Sequence, residues 1–173
     1  YNSKIELKEF KIINTIYSTV PDFERENLFE RLYEDNFVFA PGTAICKTLY
    51  DEVKKACKLS FKENVLDAYC GVGSIGIYLA KWAKEVVGVE SNKQAIVNAK
   101  ENAAKNKLKN IRFIEGNATN VLPYLVKDNF IPDVMVFDPP RTGMTPEIKQ
   151  AVLKSLPKRV VYVSCDPATL GRD

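Results

Sequence analysis

Residues 64–76 read NVLDAYCGVGSIG, and from Ser74 the chain continues as SIGIYLAKWA. An apolar run of strand length, glycines at positions 71, 73 and 76, and then apolar residues at helical spacing mark a strand that turns sharply into a helix. Glycine has no Cβ, so such a turn lets a ligand approach the backbone closely. Outward from this unit the chain keeps alternating. EVVGVE (85–90), IRFIEG (111–116), DVMVFD (133–138) and RVVYVS (159–164) read as strands. Between them lie SNKQAIVNAKENAAKN (91–106), with Ala95, Ala99 and Ala103 on one face, and a short helix near Leu122. Ser91 and Gln94 stand in a capping-box arrangement, and Thr145 followed by Pro146 opens a further helix before the last strand. Strands alternating with helices predict an α/β fold, a doubly wound parallel sheet built by right-handed crossovers.

Ahead of this core, KIELKEFKIINTIYSTV (4–20) and NFVFA (36–40) are rich in β-branched and aromatic residues, with Pro21 between them. We expect a strand-rich segment over residues 1–40, the remnant of a preceding domain, and a larger domain over residues 41–173. A helix is expected from Thr43, where Ile45, Leu49, Val53 and Ala56 recur at helical spacing, with Cys46 and Cys57 beside that stripe as core thiols.

Composition sets bounds. The 173 residues, 46% hydrophobic and 27% charged, suit one main core. No apolar run approaches the roughly 18 residues that span a bilayer, and the opening lacks a signal-peptide pattern. The four cysteines form no C-x-x-C pair, so reduced thiols in a cytoplasmic protein are expected. A formal charge of +3 is only weakly suggestive of nucleic acid. The chain has no histidine, which excludes Ser-His and Cys-His catalytic pairs and histidine-ligated metal sites within it.

In a parallel sheet, ligands sit at the carboxyl edge of the strands. Four successive strands end there on polar groups: Asp67 and Tyr69 beside Gly71, then Glu90, Asn117 and Asp138. Glu90 is placed to accept hydrogen bonds from the ribose hydroxyls of a nucleoside cofactor, and Asn117 to meet an adenine edge. Nicotinamide cofactors and S-adenosylmethionine both fit this much. The run VFDPPR (136–141) fixes Asp138 between a strand end and two stiff prolines. Methyltransferases acting on exocyclic amino groups commonly place a stacking aromatic after such a run; Arg141 stands there instead. The last strand leads to SCDPATL (164–170), which places Cys165 at the same edge.

Together, DAYCGVG, VVGVE, VFDPPR and YVSCDPATLGRD, in this order and spacing, closely resemble the RNA (uracil-5-)-methyltransferases of tRNA and ribosomal RNA, over residues 36–173. The resemblance implies a Rossmann-like S-adenosylmethionine-dependent enzyme that forms 5-methyluridine in tRNA or rRNA. It implies Cys165 as the nucleophile that adds to uracil carbon 6, Asp138 beside the base, and cofactor contacts at Tyr69, Gly71, Glu90, Asn117 and Asp138. RNA is the expected partner; the sequence calls for neither a membrane nor a protein partner. Ala40 stands where the family carries a cofactor-contacting glutamine, Ser74 where asparagine is common, and Asp166 where asparagine is usual. The segment with the family's general-base glutamate is not among these residues, so the methyltransferase domain is expected to be truncated at its C-terminal end. Arg141 and Arg172 are candidates for phosphate contact or for lowering the thiol pKa. Rival readings are a cytosine-5 RNA methyltransferase, a catalytically silent cofactor- or RNA-binding module and, more remotely, a nicotinamide dehydrogenase.

Overall fold

A computed structural model describes residues 10–13, 44–127, 130–164 and 167–173; for residues 10–13, 44–48, 123, 126, 127 and 167 it describes the backbone alone. The order is β1 (Phe10–Ile13), α1 (Ala44–Cys57), β2 (Asn64–Ala68), α2 (Ser74–Leu79), β3 (Glu85–Glu90), α3 (Lys93–Lys105), β4 (Ile111–Glu115), α4 (Ala118–Lys127), β5 (Val134–Phe137), α5 (Pro146–Ser155), β6 (Arg159–Val163) and α6 (Pro167–Arg172). The strands form one sheet in the order β1-β6-β5-β2-β3-β4. Every pairing is parallel. This is the expected Rossmann-like architecture, with the NVLDA strand in its interior.

Alternate residues of each strand face opposite sides, and both sides are apolar. Val65, Val86, Val136 and Val161 pack with Leu49, Val53, Ile75 and Leu79 from α1 and α2. Leu66, Val87, Met135 and Tyr162 pack with Leu122, Ile148 and Val152 from α4 and α5. Burying each such side chain contributes roughly 1.5–3 kcal/mol. The alanine face of α3 is buried as expected, and Ala99 and Ala103 cluster with Phe113 of β4. Cys57 is fully buried, in agreement with a core role.

Two local expectations are corrected. The cap of α3 is Asn92, whose side chain accepts from the Ala95 N–H at 3.1 Å. Ser91 instead donates its hydroxyl to Glu90. The helix expected over SIGIYLAKWA closes at Leu79, where Trp82 donates its N–H back to the Leu79 carbonyl in a turn. Thr145 does cap α5, with Pro146 in its first turn.

The topology positions the site. From β2, the chain winds outward to β3 and β4, then returns to the other side of β2 to lay down β5 and β6. The order therefore reverses between β2 and β5, and a crevice opens at their carboxyl ends. β1 pairs along the outer edge of β6.

Candidate active site at the carboxyl edge

Asp67, the fourth residue of β2, is fully buried. Its Oδ2 accepts the Gly76 N–H at 2.8 Å, which fixes the start of α2 against the sheet. Its Oδ1 is buried without a hydrogen-bond partner. Burial pushes this carboxyl up to about 7; the Gly76 N–H opposes that rise, and the charges of Asp138 and Glu90 add to it.

Between Asp67 and α2 the backbone turns through Tyr69 (φ +64) and Gly71 (φ +54). Tyr69 is half-buried at the strand end, and its hydroxyl is raised above its ordinary range by burial and by Asp173. At Gly71 the space a Cβ would occupy is open, with nothing within 4 Å. Asn102 on α3 supports the turn from behind, donating its Nδ2 to the Val72 carbonyl at 3.2 Å. Cys70 is buried in the turn with its thiol pushed far up by burial, so it packs as an apolar side chain and is no nucleophile.

Glu90 ends β3 and reaches across to this turn. Its Oε2 accepts the Gly71 N–H at 3.1 Å, and its Oε1 accepts the Asn92 N–H at 2.8 Å. Oε1 also accepts the Ser91 hydroxyl at 3.1 Å, so of the carboxylate's four lone pairs one, on Oε2, remains for a ligand hydroxyl. Asn117 follows β4 and is exposed; its Oδ1 accepts the Thr119 N–H at 2.9 Å, capping the first turn of α4. Asp138 follows β5, and burial pushes its carboxyl up to about 7. Burial thus holds two acids, one on either side of the switch point, well above the usual carboxylate range.

Cys165 and Asp166 lie outside the described residues, as does the FVFAPG stretch. On either side of them, Ser164 is buried at the end of β6, and α6 begins at Pro167. Arg172 on α6 donates to the Thr142 carbonyl at 2.6 Å and to Asp173 at 3.1 Å. Arg141 is exposed, and its carbonyl accepts the Thr169 hydroxyl at 3.1 Å.

Two groups gain their role only in the folded chain. Asp67 reads in the sequence as a flank of the turn, although an acid nine residues before the third glycine of a strand-turn-helix unit can reach that glycine's N–H. Asp173 gathers the Met144 N–H at 2.7 Å, the Tyr162 hydroxyl at 2.8 Å and the Lys149 ammonium at 3.2 Å. No spacing rule announces such a long-range hub. Among the described residues, no cluster of acids and cysteines could hold a metal ion, and no helix is long and apolar enough to cross a membrane.

Glu90 with a spare lone pair on Oε2, the open Gly71 turn and the unpartnered Asp67 oxygen fit an adenosine-bearing sulfonium cofactor. The sequence profile of the tRNA (uracil-5-)-methyltransferase family matches residues 4–173. An uncharacterized RNA methyltransferase of Halalkalibacterium halodurans is 48% identical over 125 residues, 72% of this chain and 27% of that protein. An uncharacterized RNA methyltransferase of Bacillus cereus is 50% identical over 127 residues, 73% of this chain and 28% of that protein. This chain therefore spans under a third of the length of these relatives. Among solved structures, the Pyrococcus abyssi tRNA (uracil-54, C5)-methyltransferase in complex with S-adenosyl-L-homocysteine is similar with a TM-score of 0.60 and 33% identity, covering 74% of this chain and 30% of that one. The precorrin-6y C5,15-methyltransferase of Geobacter metallireducens has a TM-score of 0.62 at 20% identity, covering 80% of this chain and 74% of that one, a likeness of fold alone.

Proposed function

This chain belongs to the tRNA (uracil-5-)-methyltransferase family, and we propose that it is part of the catalytic domain of an S-adenosylmethionine-dependent RNA methyltransferase that forms 5-methyluridine through Cys165. One observation carries the reading: the glycine turn after β2 and the acid of VFDPPR after β5 flank the switch point, and SCDPATL follows the adjacent strand, β6. The RNA is a tRNA or rRNA of the cytoplasm. In this reading residues 41–173 belong to the methyltransferase domain, and residues 1–40 are the strand-rich remnant of a preceding one.

S-adenosylmethionine, when bound, supplies the electrophilic methyl group that uracil carbon 5 takes. Glu90 holds the ribose hydroxyls, the Gly71 turn admits the cofactor to the backbone, and Tyr69 and Asn117 flank it. Asp138, partly protonated near neutrality, hydrogen-bonds the base or the cofactor as donor or acceptor. The target uridine leaves its stack to reach this edge. The Cys165 thiolate adds to carbon 6, and the ring electron pair moves onto carbon 5 as an enolate, which makes that carbon nucleophilic. After methylation a base takes the carbon 5 proton, the carbon–sulfur bond breaks, and the thiolate returns. The family resemblance puts that base, a glutamate, in a segment outside these residues.

The test uses the full-length protein and RNA carrying 5-fluorouridine. Fluorine at carbon 5 cannot leave as a proton does, so wild type accumulates a covalent RNA adduct. Cys165→Ser forms none, while it still folds and binds cofactor. Methylation of uridine without such an adduct, or near-normal turnover by Cys165→Ser, rules the mechanism out.

A further inference from the structure

The opposite edge of the sheet has a different character. The loops that enter β2, β3 and β4, residues 58–63, 80–84 and 106–110, carry Lys58, Lys62, Lys81, Lys84, Lys107 and Lys109, against a single acid, Glu63. The loops that leave the same strands, residues 69–73, 91–92 and 116–117, carry no lysine or arginine. All six lysines are exposed. The one acid is turned back on its own loop, where its carboxylate accepts the N–H and the hydroxyl of Ser60, each at 2.7 Å.

The three loops form one surface, because they are hydrogen-bonded to one another. Phe61 donates its N–H to the Trp82 carbonyl at 2.8 Å, and Lys84 donates its N–H to the Glu63 carbonyl at 2.9 Å. Asn110 donates its Nδ2 to the carbonyls of Ala80 at 2.7 Å and Ala83 at 3.1 Å. On the first of these loops, between Lys58 and Lys62 in sequence, stands Phe61, 66% exposed and held at φ +66. Bulky residues rarely adopt that backbone conformation, and here it accompanies an aromatic ring left in solvent. Trp82, the other aromatic of this surface, is only partly exposed, and Lys54 already lies 4.0 Å over its ring.

We infer that this amino-edge surface is a second RNA contact, in which Phe61 stacks on an unpaired base and lysines of the three joined loops neutralise neighbouring phosphates. The chemistry is that of single-strand binding sites, cationic loops that follow a backbone and an aromatic platform that accepts any base. The site edge does not offer that chemistry over β2–β4, since the loops leaving these strands carry no cations and Glu90 and Glu115 stand at the strand ends. Strands of five residues put the two edges about 17 Å apart. An RNA that occupies both therefore reaches around the sheet, and the contact grips substrate remote from the modified uridine. This inference rests on the RNA-substrate reading above.

The experiment measures binding of a fluorescein-labelled oligouridine, long enough to reach both edges, to the full-length protein between about 50 and 200 mM salt. Phe61→Ala weakens binding about tenfold, and Phe61→Tyr restores it. The triple variant Lys62→Glu/Lys81→Glu/Lys84→Glu lowers the slope of log affinity against log salt by about 2, since each phosphate on a single strand contributes roughly 0.7. Cofactor binding by calorimetry stays at the wild-type value in each. Wild-type affinity and slope in both Phe61→Ala and the triple variant overturn the inference. So does protection of Phe61 from hydroxyl-radical oxidation in the RNA-free protein, which assigns this surface to another part of the same chain. A wild type that binds cofactor but no oligouridine overturns the substrate reading along with this one, which separates the two failures.

Discussion

The Tyr162 hydroxyl donates to the Asp173 carboxylate at 2.8 Å, joining the strand that leads into SCDPATL to the residue that follows α6. The same carboxylate holds the Met144 N–H, so the loop after Asp138 and the helix after Cys165 are fastened to one buried anion. Burial alone would raise the Asp173 carboxyl, yet Met144, Tyr162, Lys149 and Arg172 hold it down to about 2. A folded-state value below the unfolded ~3.9 contributes stability above that pH, and the contribution is lost as pH falls through about 2. Asp173→Asn is therefore destabilised at pH 7 in urea unfolding, and its deficit narrows as pH drops below about 4. A deficit that stays constant with pH would mean the charge of Asp173 is immaterial.

Asp67 carries the opposite sign. Its folded-state value of about 7 lies above the unfolded ~3.9, so the native state binds the extra proton between those limits. The Asp67 contribution to stability is greatest below about pH 4 and falls as pH rises toward 7, at up to roughly 1.4 kcal/mol per pH unit. Asp138 contributes in the same direction. Asp67→Asn keeps an acceptor for the Gly76 N–H and cannot ionise. Its stability curve between pH 4 and 7 is flatter than that of wild type, and superimposable slopes would refute the buried acid.

Glu90→Ala removes the carboxylate that spans β3 and the glycine turn. Losing a charge-assisted hydrogen bond costs about 1.5–3 kcal/mol, so S-adenosylmethionine affinity falls on the order of tenfold or more. Isothermal titration of both proteins decides it; equal affinities take Glu90 out of the site.

Gly88 lies in the middle of β3, where a Cβ would come 2.5 Å from the Phe113 ring and 2.9 Å from the Cys70 sulfur. Gly88→Ala overpacks that contact and destabilises by about 1–3 kcal/mol. Adding Phe113→Leu returns part of the loss, a coupling readable in a double-mutant cycle of denaturant midpoints. Strict additivity would show that Phe113 is not the obstacle.

The alternation of strands and helices was legible because both faces of the sheet are covered, which makes each strand a continuous apolar run bounded by turns. Thr145 was readable as a cap because Pro146 beside it fixes the first helical turn. Ser91 was misread for a physical reason: two adjacent residues could each cap α3, and Glu90 draws the serine hydroxyl away, leaving Asn92 to do it. At the site, spacing alone placed Tyr69, Gly71, Glu90, Asn117 and Asp138 at one edge, since parallel strands all end there. It did not foresee that Asn117 spends its side-chain oxygen on Thr119, or that Asp67 is buried with one oxygen unpartnered. Those depend on depth and on neighbours distant in sequence. Cys165, the most specific expectation, falls outside the described residues and stands on its motif.

Phe10 pairs with Val160 and Ile13 with Val163, so a strand from near the start of this sequence finds its place only beside one from near its end. As the ribosome extends the chain, β2, β3 and β4 can assemble as each emerges, and β5 then joins β2. Among the described strands, β1 has no partner until β6 exists. Its unpaired backbone groups stay available through that interval to any other exposed edge, including that of a neighbouring nascent chain. The order of synthesis therefore places β1 after β2, β3, β4 and β5, and its docking reports that the β6 strand leading to Cys165 has been laid down.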